Sequence, residues 1–107
     1  GIAFTFCPST TKYTTSWRDL AAPKHPIRRM KDAGLAVTIN SDDPPMFTTD
    51  LGLEFELAHA DLGFSMSDLK NAIVTSLEAS WLDEATKRQW IGEWSREIDE
   101  AFAAHAA

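Results

Sequence analysis

The chain has 107 residues, of which 44% are hydrophobic and 24% charged, and its formal net charge is −6 at pH 7. This composition is typical of a globular domain, and the negative charge argues against a nucleic-acid partner bound through phosphate neutralisation. No stretch approaches the roughly 20 apolar residues that a membrane span needs. We therefore expect a cytoplasmic protein with neither nucleic acid nor membrane as a partner.

The first half of the sequence predicts a strand, a helix and a second strand. Residues 2–7 alternate large apolar and small side chains, the pattern of a strand, and Pro8 ends it. Residues 9–20 are rich in hydroxyl groups and predict a loop. Residues 23–33 predict a helix that stops before Gly34, and residues 35–40 predict a second strand. This order indicates a βαβ unit with a parallel pair of strands.

The second half of the sequence predicts three helices. Asp50 is expected to cap a helix that runs to about residue 60, and Asp83 one that covers residues 84–104. Between them, Ser65 and Asp68 have the spacing of a capping box. The predicted buried faces are Leu53, Leu57 and Ala60 on the first helix, Leu69, Ala72, Ile73 and Leu77 on the second, and Ile91, Trp94, Ile98 and Phe102 on the third.

Two parallel strands with helices make an incomplete sheet. A two-stranded sheet is marginal, and parallel pairs are usually buried inside larger sheets. Gly1 also leads directly into an apolar strand without an initiator methionine. We therefore expect that this chain is a fragment and that other sequence supplies the missing strands.

Two adjacent carboxylates, Asp42 and Asp43, follow the second predicted strand. Ligands of parallel α/β folds bind at the carboxyl ends of strands, although adjacent aspartates in a loop most often form a turn or a helix cap. Pro44 restricts Asp43 to an extended backbone, so the two carboxylates are expected to point to different sides. Strand alternation places Thr38, Asn40 and Asp42 on one face.

Several segments resemble the carboxy-terminal part of the adenosine deaminase family, which also includes adenine and AMP deaminases. The similarity follows the order and spacing of the family over nearly the whole chain. It is carried by Phe-Thr-Phe-Cys-Pro-Ser at 4–9, His-Pro-Ile at 25–27, Ile-Asn-Ser-Asp-Asp-Pro at 39–44, Asp-Leu-Gly-Phe-Ser at 61–65, Asn71 and Ser-Trp-Leu at 80–82.

The resemblance implies an α/β fold, the carboxy-terminal portion of a zinc-dependent (β/α)8 barrel. Residues 1–107 would form the last segment of a single domain, with residues 2–7 as the seventh strand and residues 35–41 as the eighth. Asp42 matches the family's zinc ligand, which is also catalytic because it hydrogen-bonds the attacking water. Asp43 matches the aspartate that binds the purine ring at N7. The implied reaction is hydrolytic deamination of adenosine to a 6-oxopurine and ammonia.

The family's remaining site residues have no counterpart in the sequence. Its His-x-His pair, third zinc histidine, glutamate proton donor and catalytic histidine all precede the seventh strand. We therefore expect the isolated chain to be inactive without the upstream remainder of the barrel. An adenine deaminase, or an enzyme for another 6-aminopurine, is the alternative within the family. A non-catalytic α/β interaction module, in which Asp42 and Asp43 only form a turn, is the alternative from another class.

The other reactive side chains are expected to be structural. Cys7 has no paired base nearby in the sequence and is expected to be a small buried residue. His25, His59 and His105 lack the spacing of a metal site and are expected to be hydrogen-bonded or solvated.

Overall fold

The computed structural model describes residues 2–105, which form a two-stranded sheet and six helices. None of these helices has the length and apolar character needed to cross a membrane. The elements in chain order are β1 (Phe4–Phe6), α1 (Pro8–Thr14), α2 (Pro26–Asp32), β2 (Val37–Ile39), α3 (Pro44–Phe47), α4 (Leu51–Ala60), α5 (Met66–Glu78) and α6 (Glu84–His105).

The two strands pair in parallel, as predicted. Phe4 lies opposite Val37 and Phe6 opposite Ile39. The ladder is extended at its carboxyl end by the amide of Asn40, which donates to the carbonyl oxygen of Phe6 at 2.8 Å. Both strands are shorter than the predicted ranges of 2–7 and 35–40, and the helix predicted over 23–33 begins at Pro26. The βαβ order is nevertheless confirmed.

The loop predicted over residues 9–20 is correct for residues 15–20 but wrong for residues 9–14, which belong to helix α1. Pro8 occupies the first helical turn, where its fixed φ suits the helix and its missing N–H costs no hydrogen bond. The hydroxyl groups then serve the helix itself: Thr14 Oγ1 donates to the carbonyl oxygen of Thr10 at 2.7 Å. A hydroxyl-rich composition was therefore a poor sign of a loop here.

The three predicted helix starts in the second half are confirmed. The side chain of Asp50 accepts a hydrogen bond from the Leu53 amide at 2.8 Å. Ser65 and Asp68 form the complete capping box. At the start of α6, the carboxylate of Asp83 accepts from the amide of Thr86, and this contact lowers the pKa of Asp83.

The hydrophobic core joins both halves of the chain, since the sheet packs on α4, α5 and the turn between them. Leu57 of the predicted α4 face packs against the core, as predicted. Leu53 is 38% exposed, however, and Glu54 and Ala58 are the fully buried residues of this helix. Helix α6 packs mainly on α5, and its predicted apolar face is therefore only partly covered. The core residues are Phe6, Leu20, Ile27, Val37, Ile39, Ala58, Leu62, Phe64, Leu69 and Ala72.

Candidate functional site

The two segments that leave the carboxyl ends of the strands meet next to the sheet. Helix α1 begins directly after β1, and Asp42 follows three residues after β2. Because the strands are parallel, both segments emerge at the same edge. There, Thr10 Oγ1 donates a hydrogen bond to Asp42 Oδ2 at 2.9 Å. The first turn of α1 thus holds one oxygen of the Asp42 carboxylate.

Asp42 has a left-handed backbone, with φ of 55°. Strand alternation applies only to extended residues, so it holds for Thr38 and Asn40 but does not reach Asp42. Asn40 Nδ2 donates to Thr38 Oγ1 at 2.8 Å, which places these two side chains on one face as predicted. The direction of Asp42 is given instead by its contact with Thr10. A non-glycine residue in this conformation costs on the order of 1 kcal/mol.

Asp43 has the extended backbone that Pro44 predicts, with φ of −126° and ψ of 81°. It occupies the position before the first turn of α3, but its side chain makes no capping hydrogen bond there. The helix-cap role expected of an ordinary aspartate is therefore not performed by Asp43. Its side chain is exposed, as is that of Asp42.

Helices α1 and α3, on either side of the two aspartates, contact each other through aromatic rings. The rings of Tyr13 and Phe47 stack with centroids 5.9 Å apart and planes 3° from parallel. Offset stacks of this kind contribute about 0.5–1.5 kcal/mol beyond their buried area. The contact links the segment that carries Thr10 to the segment that follows Asp43.

Glu54, on α4, has a fully buried carboxylate that contacts the start of helix α1. Its Oε2 accepts a hydrogen bond from the Ser9 amide at 3.1 Å, and its Oε1 accepts one from Thr49 Oγ1 at 3.1 Å. Neither Glu54 nor Thr10 is among the site residues predicted from the sequence. No local pattern indicates these roles, because the partners of Glu54 and Thr10 lie 45 and 32 residues away along the chain.

Cys7 is half-buried between these groups, and burial together with the charges of Asp42 and Glu54 raises the pKa of its thiol. A raised pKa leaves little of the nucleophilic thiolate at neutral pH. The thiol is therefore better suited to packing than to nucleophilic catalysis, which agrees with the sequence prediction.

The three histidines have protein partners, as expected. His25 is fully buried, its Nδ1 accepts from the amide of Ile27 at 3.1 Å, and burial lowers its pKa. His59 Nδ1 pairs with the carbonyl oxygen of Phe64, and His105 Nδ1 with that of Ala101. Over residues 2–105, no group of three or more histidine, cysteine or acidic side chains is arranged to hold a metal ion.

The chain is similar to proteins named adenine deaminases over most of its length. It is 42% identical over 87 residues to the adenine deaminase of Rhizobium rhizogenes, covering 81% of this chain and 26% of that protein. The adenine deaminase of Sinorhizobium medicae is 40% identical over 89 residues, which are 83% of this chain and 27% of that protein. The chain therefore spans about a quarter of the length of these relatives.

A solved structure has the same fold. An amidohydrolase from Burkholderia ambifaria, crystallised with bound Zn, superposes with a TM-score of 0.87 at 32% identity, covering 100% of this chain and 30% of that one. The predicted fold class, the last two parallel strands of a (β/α)8 barrel with their helices, is confirmed by this similarity. The family model described as adenosine deaminase matches residues 1–96. The chain belongs to the adenosine deaminase family.

Proposed function

We propose that this chain contributes Asp42 and Asp43 to the active site of a zinc-dependent hydrolase that converts a 6-aminopurine and water into a 6-oxopurine and ammonia. The observation that carries the proposal is the placement of both carboxylates at the carboxyl end of β2, with Asp42 held by Thr10. Family membership supports the same reaction. The activity is proposed for the polypeptide that joins this chain to the rest of the barrel.

The donor set of Asp42 fits a zinc ion as one ligand among several. Thr10 occupies Oδ2, and Oδ1 has no hydrogen bond from any residue in 2–105. Carboxylate ligands of metals are commonly fixed by such a second hydrogen bond, and zinc accepts carboxylate oxygen together with histidine nitrogen. Asp42 would hold the ion through Oδ1, with the other ligands supplied from outside this chain. When bound, zinc acts as a Lewis acid and lowers the pKa of water to near neutrality.

Asp43 would orient the purine ring. Its carboxyl group is exposed, and its neighbour Pro44 fixes the backbone that presents it. The proposed contact is to N7 of the ring, a hydrogen-bond acceptor. Because a carboxylate oxygen and N7 are both hydrogen-bond acceptors, this contact requires a proton shared between them. In the proposed pose, C6, which lies on the same edge of the ring as N7, would face the zinc ion held by Asp42.

Between the two substrates within the family, we propose the base adenine first. The relatives that are 40–42% identical to this chain are named adenine deaminases, whereas adenosine is supported by the description of the family model. The residues that separate the two substrates precede this chain in the family pattern, so adenosine is the second candidate. Location in the cytoplasm and the single-domain arrangement stay predictions.

The test uses the complete gene product with Asp42→Ala and Asp43→Ala, and Asp99→Ala on the surface of α6 as the matched control. Zinc content is measured by atomic spectroscopy and turnover by the loss of adenine absorbance, with adenine and with adenosine. Asp42→Ala is expected to lose its zinc, and its turnover should fall at least ~10³-fold. Removing a ligand releases the ion, and the reaction then lacks its Lewis acid. Normal zinc content and turnover in Asp42→Ala would show that the ligand assignment is wrong.

A ring analogue tests the role of Asp43 directly. Asp43→Ala is expected to keep its zinc and to lose roughly 10²-fold in kcat/KM, because a hydrogen bond to a charged group contributes up to about 3 kcal/mol. The 7-deaza analogue lacks N7 and is expected to be a poor ligand of the wild type, whereas Asp43→Ala should not distinguish it from adenine. Equal binding of adenine and its 7-deaza analogue by the wild type would contradict the N7 contact. A folded gene product without zinc or turnover would favour the interaction module.

A further inference from the structure

Glu54 is a buried carboxylate that the proposed reaction does not use. It is 0% exposed, and a carboxylate buried without partners would cost several kcal/mol. Both of its oxygens accept hydrogen bonds, from the Ser9 amide and from the Thr49 hydroxyl. The two contacts leave the side chain a single orientation, directed from α4 to the first turn of α1.

The first turn of α1 needs this partner because it has no cap of its own. The amides at a helix start have no acceptor within the helix. The side chain of Cys7, which precedes the helix, makes no capping hydrogen bond, and Pro8 has no N–H. The amide of Ser9 is therefore the first donor of the helix, and Glu54 accepts its hydrogen bond from 45 residues away. A negative charge at this end of a helix is favourable.

The residue after Ser9 is Thr10, whose hydroxyl holds Asp42 Oδ2. We propose that Glu54 is a positioning residue for Asp42: by binding the Ser9 amide, it holds the first turn of α1 where Thr10 reaches the carboxylate. This inference rests on the proposed function, because it assigns Glu54 to the support of the proposed zinc ligand. It predicts that a change on α4 is transmitted to the metal site through two hydrogen bonds and one peptide unit.

Variants of Glu54 in the complete gene product separate positioning from packing. Glu54→Ala removes both contacts, and Glu54→Asp keeps the charge but shortens the reach. Glu54→Gln retains the shape, because its carboxamide oxygen can accept from Ser9 while its NH2 donates to the Thr49 oxygen. Glu56→Ala, at an exposed position of the same helix, is the matched control.

Zinc affinity is measured by chelator competition at a temperature at which every variant is folded. Glu54→Ala is expected to weaken zinc binding by roughly tenfold, the lower end of the effect of supporting hydrogen bonds, and Glu54→Asp by less. Because Asp43 and not Asp42 contacts the purine, kcat should fall while KM changes little. Glu54→Gln should recover most of the affinity. Hydrogen exchange should show reduced protection of the Ser9 amide in the alanine and aspartate variants.

A double variant tests the transmission itself. If Glu54 acts through Thr10, Thr10→Val should lower the zinc affinity by a similar factor. The double variant, Glu54→Ala with Thr10→Val, should then have the same zinc affinity as either single variant. Additive losses would overturn the proposal. So would unchanged zinc affinity in Glu54→Asp, which remains informative if the alanine variant does not fold. A wild type without zinc or turnover would instead remove the proposed function and this inference together.

Discussion

The site-bearing region, from β1 to α3, and the helical region, from α4 to α6, are stabilised in different ways. Each helix of the second region begins with a cap only three residues away, as in the pairs Asp50–Leu53 and Asp83–Thr86. The contacts that shape the site are long-range: Thr10 meets Asp42 32 residues along the chain. The helical region is therefore encoded locally, whereas the site depends on the assembled fold.

The site depends on contacts with the helical region. Glu54 of α4 holds the start of α1, and the buried residues Leu62 and Phe64 lie in one core cluster with Phe6 and Ile39 of the sheet. Loss of core packing should therefore disturb the site, whereas loss of a local cap should leave it nearly intact. Three substitutions test this difference in order of decreasing effect.

The largest effect is expected for Phe64→Ala. The ring is 2% exposed, and the ammonium group of Lys31 lies 5.5 Å from its centroid. Removing a buried phenylalanine costs about 3–5 kcal/mol in the free energy of unfolding. Chemical denaturation measures the loss, and hydrogen exchange should show weaker protection in both β2 and α5, since the core is shared.

Met66→Ala, two residues further along at a 44% exposed position, is the control and should change the stability by no more than about 0.5 kcal/mol. If Phe64→Ala weakened the protection of α5 alone, the two regions would not share a cooperative core. The dependence of the site on the helical region would then be wrong.

The difference between local and long-range contacts explains which sequence predictions were correct. The capping box of Ser65 and Asp68 and the caps formed by Asp50 and Asp83 were correct because each needs only neighbouring residues. The parallel pairing of β1 and β2 followed from their order, and the extended backbone of Asp43 followed from Pro44. These features require no knowledge of distant contacts.

The wrong or missed predictions concern residues whose secondary structure, burial or hydrogen bonds depend on partners far away in the sequence. Helix α1 was predicted as a loop from its hydroxyl-rich composition, whereas the acceptor that stabilises its first turn, Glu54, lies on another helix. The face of α4 was misassigned because a glutamate is normally exposed, whereas Glu54 gains the Ser9 amide and the Thr49 hydroxyl on burial. The support of Asp42 by Thr10 was missed for the same reason. The roles of Asp42 and Asp43 came from family resemblance and await the variants above.

An intermediate effect is expected at His25, which caps α2 within the site-bearing region. Its Nδ1 accepts from Ile27, so a proton on Nδ1 would remove the cap. Burial is the largest cause that lowers its pKa. The unfolded chain therefore takes up the proton first as the pH falls through about 6.5, and stability is lost from there down to the lowered folded pKa.

His25→Asn separates capping from titration, because asparagine caps a helix but does not titrate. We expect wild type to lose more stability than His25→Asn between about pH 7.5 and about pH 5.5, measured as denaturation midpoints. His25→Ala should be about 1 kcal/mol less stable than His25→Asn at both pH values, because neither residue titrates and only asparagine caps the helix. Equal pH dependence in wild type and His25→Asn would show that another group titrates instead.

The smallest effect is expected for Ser65→Ala at the start of α5. The hydroxyl accepts from the Asp68 amide at 3.1 Å, and its loss costs about 0.5–1 kcal/mol. Asp68 Oδ2 still accepts from the Ser65 amide, so half of the capping box remains. Ser67→Ala, at an exposed position in the first turn of α5, is the control with an effect near zero. Hydrogen exchange should show fraying confined to the first turn of α5. A loss of protection at Ser9 in α1 would contradict the distinction between local caps and long-range contacts, since no contact of Ser65 reaches the site.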